Sequence, residues 1–411
     1  MITSIVYLRA EQISDLFESK LNQHLIIQGE AFSMDQNTVF HAFTASPKSS
    51  PAGIKVNCRF YLYPSDVEMV AAANNFNYFK LNSDEALIIF LSVSNNVLKH
   101  KCFLKLNGSI SECEIKFIPG KLELYSRSKG LLEVESISKK SVGIVGLGSG
   151  GSPIAVELAK AGIGNFTLID FDRLELSNVS RHVCGVNDLG RFKTYAVRDL
   201  IWQKNPYANV ITSEIDVNVN MQECANVLSK VDIIICASDN DRSRFFLNEL
   251  ALKFKIPAIF GRAITRAIGG DVLRVRPFKG PCYNCLYSQN VRSAGGDDEE
   301  ISQEKQAKKL LPDYTNEQDL QTVIQVGLAS DIAPISNFMV KLALVELSKG
   351  ENTGIKSLEE DLISDFYIWA NRREKVYESW SKLEFNFNKP SILRWYGARV
   401  ERDPNCMVCG I

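Results

Sequence analysis

From residue 141 onward the sequence predicts an α/β fold: a doubly wound, Rossmann-like, mostly parallel sheet, preceded by a small N-terminal α+β domain. Three observations predict it. Apolar, strand-like runs alternate with helical patterns between residues 141 and 260, as expected for strands joined by crossover helices. A glycine-rich turn, Gly146-Leu147-Gly148-Ser149-Gly150-Gly151, separates the first such run from the first helix. Residues 1–120 lack that alternation and read as short strands punctuated by glycine and proline.

The N-terminal region, 1–120, opens with an amphipathic helical pattern near Ala10–Leu21. Strand-like runs follow at Lys55–Tyr63, Ala86–Val93, Lys101–Leu106 and Cys113–Ile118. Asn107-Gly108 between the last two signals a hairpin turn. The region carries no chemical motif, and its expected role is packing or the docking of a substrate or partner.

The second region, 121–411, begins its alternation with the buried strand Ser141–Val145. The helix Pro153–Ala161 and the strand Asn165–Asp170 come next. Further strands are expected at Val210–Ile215, Asp232–Cys236 and Ala258–Phe260, with helices at Arg191–Lys204 and Arg242–Phe254 between them. Residues 288–322 are polar and aperiodic, with the acidic run Gly295-Gly296-Asp297-Asp298-Glu299-Glu300, and read as a long inserted loop. Apolar periodicity resumes at Asp331–Leu347, a helix, and the tail from Ile363 to Val400 reads as strands.

Composition narrows the function. The chain has 411 residues, 45% of them apolar and 23% charged, which fits a folded protein of two or three domains. Its 47 basic residues against 48 acidic ones leave a formal charge of −1, so nucleic-acid and membrane-surface partners are not expected. The N-terminus has no signal-peptide pattern and no apolar run is long enough to span a membrane. The expected location is a reducing cytoplasm, where the ten cysteines would not form disulfides.

Gly146, Gly148 and Gly151 fit the G-x-G-x-x-G turn that lets backbone approach a phosphate at a helix N-terminus. Asp170, at the end of the next strand, is placed to accept ribose hydroxyls. A nicotinamide-dependent oxidoreductase shares these features. The next segment does not suit one: Asn178, Arg181 and Lys193 gather polar and cationic groups suited to a triphosphate. Ser238-Asp239-Asn240 ends an apolar strand, where a carboxylate suits Mg²⁺.

With these residues in place, the chain resembles the superfamily of ubiquitin-activating enzymes and their bacterial relatives, the ThiF-, MoeB- and HesA-type adenylyltransferases. The resemblance covers Leu124 to the C-terminus. It implies that Asp170 binds ribose, that Asn178, Arg181 and Lys193 hold the phosphates of ATP, and that Asp239 holds Mg²⁺. Leu124-Tyr125-Ser126-Arg127 resembles the family's Y-S-R-Q entry motif, with Ser128 in place of glutamine. Arg127 would then reach the ATP of the partner subunit in a homodimer. Arg127, Arg181, Lys193 and Asp239 are the implied catalytic residues.

Cys282-Tyr283-Asn284-Cys285 and Cys406-Met407-Val408-Cys409 form two C-x-x-C pairs, each preceded by a proline. Four thiolates make a closed, structural Zn²⁺ site, and neither pair reads as a reactive helix start. Relatives that carry ubiquitin-like proteins as thioesters often use a cysteine in the following loop. No cysteine lies between Cys285 and Cys406. Cys58, Cys102, Cys113, Cys184, Cys224 and Cys236 read as structural. Either the reaction stops at the acyl adenylate, or a partner supplies the thiol, or the cysteine has been lost by substitution.

The implied reaction is attack of a substrate C-terminal carboxylate on the α-phosphorus of Mg·ATP, with release of pyrophosphate. The substrate is the tail of a ubiquitin-like protein or, as in microcin-maturing relatives, a ribosomal peptide. A conjugating enzyme is a further implied partner. Arg262 and Arg266, after the strand at Ala258–Phe260, would flank the channel for the tail or serve as surface charges. A nicotinamide oxidoreductase and a catalytically inert scaffold are the readings of other classes.

Overall fold

The computed structural model describes residues 4–19, 24–35, 38–49, 51–75, 85–94, 97–118, 120–264, 267–287, 327–371 and 392–410. The chain divides into two compact units, Met1–Arg127 and Ser128–Ile411. The expected loop at 288–322 and Arg266 lie outside the described residues.

In the first unit the strands β1 (Ile5–Arg9), β2 (Leu25–Met34), β3 (Val39–Phe43), β4 (Ile54–Tyr63), β5 (Glu85–Ser94), β6 (Val97–Leu106) and β7 (Ser109–Ile118) close into a barrel ordered β1-β3-β2-β4-β5-β6-β7. Alternation along β1 sends Val6 and Leu8 inward. They meet Phe40, Cys58, Phe60, Leu87, Ile89, Leu91, Cys102 and Leu104 in one core. Beyond the α1 helix (Ala10–Ser19), the α2 helix (Asp66–Asn74) covers part of the barrel's outside. There Met69 and Ala73 pack with Tyr61, Tyr63, Ile88 and Phe90. The central strand β5 is therefore buried on both faces, which is why it reads as a continuous apolar run. Ser65 caps α2 by accepting the Glu68 N–H at 3.3 Å. Asn107 and Gly108 both have positive φ, 49° and 78°, the geometry of the two-residue hairpin turn that their identities favour.

The second unit is built on an eight-stranded sheet ordered β10-β9-β8-β11-β12-β13-β14-β15. The strands β8 (Ser141–Val145), β9 (Asn165–Ile169), β10 (Asn209–Ser213), β11 (Ile233–Cys236) and β12 (Ala258–Ala263) run parallel. Three antiparallel strands extend it: β13 (Gly269–Val275), β14 (Phe366–Ala370) and β15 (Arg394–Ala398). On one face the helices α3 (Gly151–Lys160), α5 (Lys193–Lys204) and α9 (Ala329–Leu347) bury Ile154, Leu158, Val197, Ile201, Met339 and Leu342 against Val142, Ile144 and Ile235. On the other face α6 (Met221–Leu228) and α7 (Asp241–Phe254) bury Leu228, Leu247 and Ala251 against Val145, Ile234 and Phe260. Two short helices, α4 (Leu176–Val179) and α8 (Tyr283–Tyr287), lie in connections.

Helices on both faces make the fold doubly wound. From β8 the chain moves outward through β9 and β10, then returns to the other side of β8 with β11. The order reverses between β8 and β11, and crevices at such a switch point receive ligands in open α/β sheets. Among the described residues no helix is long and apolar enough to cross a membrane.

Candidate functional site

The loops that leave β8 and β11 meet at the switch point. The Gly146 N–H bonds the Ile169 carbonyl at 2.9 Å, and the Ala237 N–H bonds the Val145 carbonyl at 2.8 Å. Gly146 has φ +86°, and a Cβ there would lie 2.8 Å from the Ala237–Ser238 peptide. A Cβ on Gly151 would come within 1.8 Å of the Gly146 oxygen. Only glycine fits either place. A Cβ on Gly148 would meet nothing within 4 Å, so its backbone borders open space just before the N-terminus of α3. Ser336 on α9 donates its hydroxyl to the Gly150 carbonyl at 3.0 Å and steadies the loop from above.

Asp170 leaves β9 nearly buried, and both of its oxygens accept backbone bonds. Oδ2 takes the Leu147 N–H at 2.6 Å and Oδ1 the Asp172 N–H at 2.9 Å. Burial pushes this carboxyl above its ordinary value, while Lys193 and the two N–H groups pull it down. The Asp170 carboxylate thus ties the glycine loop to the next strand and keeps lone pairs for a further donor. Lys193, the buried first residue of α5, lies with Nζ 2.6 Å from Asp172 Oδ2.

Asn178 is half-buried and accepts the Glu175 N–H at 3.0 Å, capping α4, so its amide NH₂ is the group left to meet a ligand. Arg181 is half-buried one turn further on. Asp239 is exposed at the end of β11, between two residues with structural duties. Asn240 caps α7 by accepting the Ser243 N–H at 2.9 Å. Ser238 lies 2.6 Å from the Ser243 hydroxyl.

Sequence reasoning missed His182, which is buried beside the glycine loop. Its Nδ1 accepts the Cys184 N–H at 3.0 Å, and its Nε2 lies 2.7 Å from the Leu147 carbonyl. An acceptor at Nδ1 requires the proton at Nε2, so the ring is neutral and donates to Leu147. Burial lowers its readiness to take a second proton. Leu147 is therefore held by His182 through its carbonyl and by Asp170 through its N–H. The only available signal was the position of His182 directly after Arg181, which distinguishes it from no other surface histidine.

Arg127 and Arg262 have surroundings of their own. Arg127 is exposed in a single 3₁₀ turn, Ser126–Ser128, and belongs to the first unit. Arg262 pairs sideways with Asp271, its Nη2 at 2.7 Å, and lies 4.1 Å over the ring of Tyr287. Its charge is paired with that of Asp271.

The four cysteines of the C-x-x-C pairs come together. Cys282 lies 3.7 Å from both Cys285 and Cys406, and Cys285 lies 3.4 Å from Cys409, sulfur to sulfur. All four sulfurs lie within 4.8 Å of one another. Tetrahedral thiolates about 2.3 Å from a metal would sit roughly 3.8 Å apart, so this group fits one ion. One detail departs from expectation: Cys282 directly precedes α8, a helix start. Three other sulfurs surround it and suit it to hold a metal all the same.

A family model described as the ThiF family matches residues 123–358. The chain belongs to the ThiF family.

The matched stretch holds the glycine loop, Asp170, Lys193, the Ser238–Asn240 turn and the first cysteine pair, whereas Cys406 and Cys409 lie beyond it. This ThiF-family chain is 30% identical over 181 residues to the adenylyltransferase and sulfurtransferase MOCS3 of Aedes aegypti, covering 43% of this chain and 40% of that protein. It is 30% identical over 176 residues to the sulfur carrier protein adenylyltransferase of Thermus thermophilus, covering 40% of this chain and 64% of that protein. The chain therefore spans less than two thirds of the length of the curated relatives it matches. Among solved structures it is similar to E. coli MccB with ATP, at 18% identity and a TM-score of 0.47, over 67% of this chain and 68% of that one.

Proposed function

We propose that this ThiF-family protein is an ATP-dependent adenylyltransferase that activates the C-terminal carboxylate of a ubiquitin-like protein as an acyl adenylate. The observation that carries the reading is the switch-point cradle. Gly148 borders open space, Asp170 stands over the glycine loop, and Arg181 after α4, Lys193 at the start of α5 and Asp239 after β11 belong to the same unit. The names of the MOCS3 and Thermus relatives point the same way.

In this reading Asp170 accepts the ribose hydroxyls. Asn178, Arg181 and Lys193 hold the phosphates, and Asp239 holds Mg²⁺, which would screen the charge of the leaving group. A substrate carboxylate oxygen attacks the α-phosphorus, a P–O bond to the acyl group forms, and the bond to the bridging oxygen breaks. Pyrophosphate carries away that electron pair. The carboxylate is already ionised at neutral pH, so the residues position and neutralise rather than move protons. With no cysteine between Cys285 and Cys406, the reaction ends at the acyl adenylate unless a conjugating partner brings a thiol. That same feature favours a carrier of the sulfur-transfer type or a second reading, adenylation of a ribosomal peptide.

The cysteine cluster would hold a structural Zn²⁺. The barrel unit, 1–120 in the sequence division, would dock the carrier or another partner. The working form would be a cytoplasmic homodimer in which Arg127 serves the neighbouring subunit. Exposed apolar residues Phe171, Leu176 and Val186 beside Asn178 and Arg181 support a partner on that face.

Pyrophosphate exchange into ATP tests the function. With a carrier ending in two glycines, exchange is expected, and Asp239→Ala or Arg181→Ala should lower it at least 100-fold, as loss of a charge-stabilising group does. Exchange with a short peptide amide-free C-terminus and not with the carrier would establish the second reading. Exchange undiminished in both variants would refute the site assignment.

A further inference from the structure

Behind the Ser238–Asp239 turn lies a partly buried polar chain that none of the roles above uses. It starts inside the first cysteine pair. Tyr283 is fully buried, its ring packed against Phe245, Phe260 and Tyr287 at centroid distances of 5.1, 5.0 and 4.5 Å. Its hydroxyl donates to Asp241 Oδ1 at 2.8 Å. Asp241 is the first residue of α7, and the same oxygen accepts Arg244 Nη1 at 3.1 Å. Arg244 Nη2 then donates to the Ser238 carbonyl at 2.8 Å, the peptide oxygen that immediately precedes Asp239. A second tie runs alongside. The Tyr283 N–H donates to Asn248 Oδ1 at 2.9 Å, and Asn248 Nδ2 donates to Asn284 Oδ1 at 3.0 Å.

The segment between Cys282 and Cys285 is thus fastened to α7 at Asp241 and at Asn248, two turns apart. The fastening reaches the Asp239 turn through one guanidinium. An arginine held by a carboxylate has its fork fixed in direction. If Asp241 loses the tyrosine donor, Arg244 gains freedom and the Ser238 carbonyl loses a fixed partner. Ser238 also abuts Gly146, where a Cβ would stand 2.8 Å from its nitrogen, so a shift of this peptide would be felt at the glycine loop.

We infer that Tyr283 is a positioning residue: through Asp241 and Arg244 it fixes the Ser238–Asp239 turn and so couples the cysteine cluster to the magnesium side of the nucleotide site. The inference rests on the proposed adenylyltransferase reading, because it gives Asp239 the magnesium. Its chemistry is mechanical. No bond changes, and a metal held by the cysteines would act only by keeping the Tyr283–Asn284 segment in register with α7.

The test uses Tyr283→Phe, which keeps the ring packing, and Asp241→Asn, which keeps the shape of the next link. ATP binding is measured by calorimetry with magnesium present and with magnesium removed, and zinc content is measured by metal analysis in the same samples. Both variants are expected to keep one zinc per chain and to bind magnesium-free ATP like the parent. Each should bind Mg·ATP about five- to tenfold more weakly, within the range of one ordinary net hydrogen bond. The double variant should be no weaker than the worse single one, since both cut the same chain. Unchanged Mg·ATP affinity in Tyr283→Phe, or an equal loss with and without magnesium, would overturn the inference and leave the function standing. A parent protein that binds no Mg·ATP, or an Asp239→Ala variant that binds it normally, would overturn the reading beneath it.

Discussion

Protonating His182 would set a second N–H against the Cys184 N–H that its Nδ1 now accepts. Burial already disfavours that charge. The unfolded chain takes up the proton near the ordinary value of about 6.5, and the folded ring only at lower pH. Between those points the unfolded state binds more protons, so stability falls as pH falls. Thermal melts from pH 7.5 to 5.5 should show a decline that is smaller in His182→Ala, the difference in slope being at most about 1.4 kcal/mol per pH unit, one proton's worth. An equal decline in both proteins would remove His182 from this role. His41 and His100 are also held below their ordinary values by burial, and they cancel in the comparison. Residues of this kind mark the limit of what the sequence shows. Asp170 was legible because it stands at a fixed offset from a glycine turn. His182 and Tyr283 act on Leu147 and Asp241, 35 and 42 positions away, and no local pattern announces such contacts.

The elements of the second unit were legible for a physical reason. Its parallel strands are covered on both faces, so each reads as a short apolar run, and helices of another period separate them. Among the elements expected there, the errors lie at the ends: the first helix begins at Gly151 rather than Pro153, and the α5 helix at Lys193 rather than Arg191. The strands β1, β2 and β3 passed unnoticed. β1 finds parallel partners in β3 and β7, and its residues Ile5-Val6-Tyr7-Leu8 are all apolar or aromatic, so no alternation of polar and apolar residues marks it although its burial alternates. β13 was missed too. It is buried along its whole length and holds Arg274, whose Nε meets Asp365 at 2.8 Å. At this scale the glycine turn yields a contrast. Gly151→Ala should cost about 2 kcal/mol in denaturant unfolding, because the new carbon meets the Gly146 oxygen. Gly148→Ala should leave stability within about 0.5 kcal/mol and weaken ATP binding instead, since its carbon enters the space assigned to phosphates. Equal effects of the two on stability would refute the open cradle.

For the whole molecule, the homodimer reading has a direct check. Arg127→Ala and Asp239→Ala subunits, each inactive alone, are mixed and allowed to exchange. If Arg127 serves the neighbour, a mixed dimer holds one intact site and pyrophosphate exchange returns to about a quarter of the parent's level at equal mixing, the yield of random pairing. No recovery would place the arginine's work within its own chain or nowhere. The two units also differ in how they are completed. In the Rossmann-like sheet β8 pairs with β9 across one short helix, a contact available soon after both strands leave the ribosome. The barrel has hairpins that are just as local, such as β6–β7, but its closure is not, because β1 is joined by β7, the last strand of its unit. Its first-made strand must wait through the synthesis of all the others, with one edge open, before the ring can shut. Such non-local closure is slow and leaves a strand edge free to pair with other chains. The barrel, though none of its strands carries a residue of the proposed nucleotide site, therefore has a closing step exposed to misassembly.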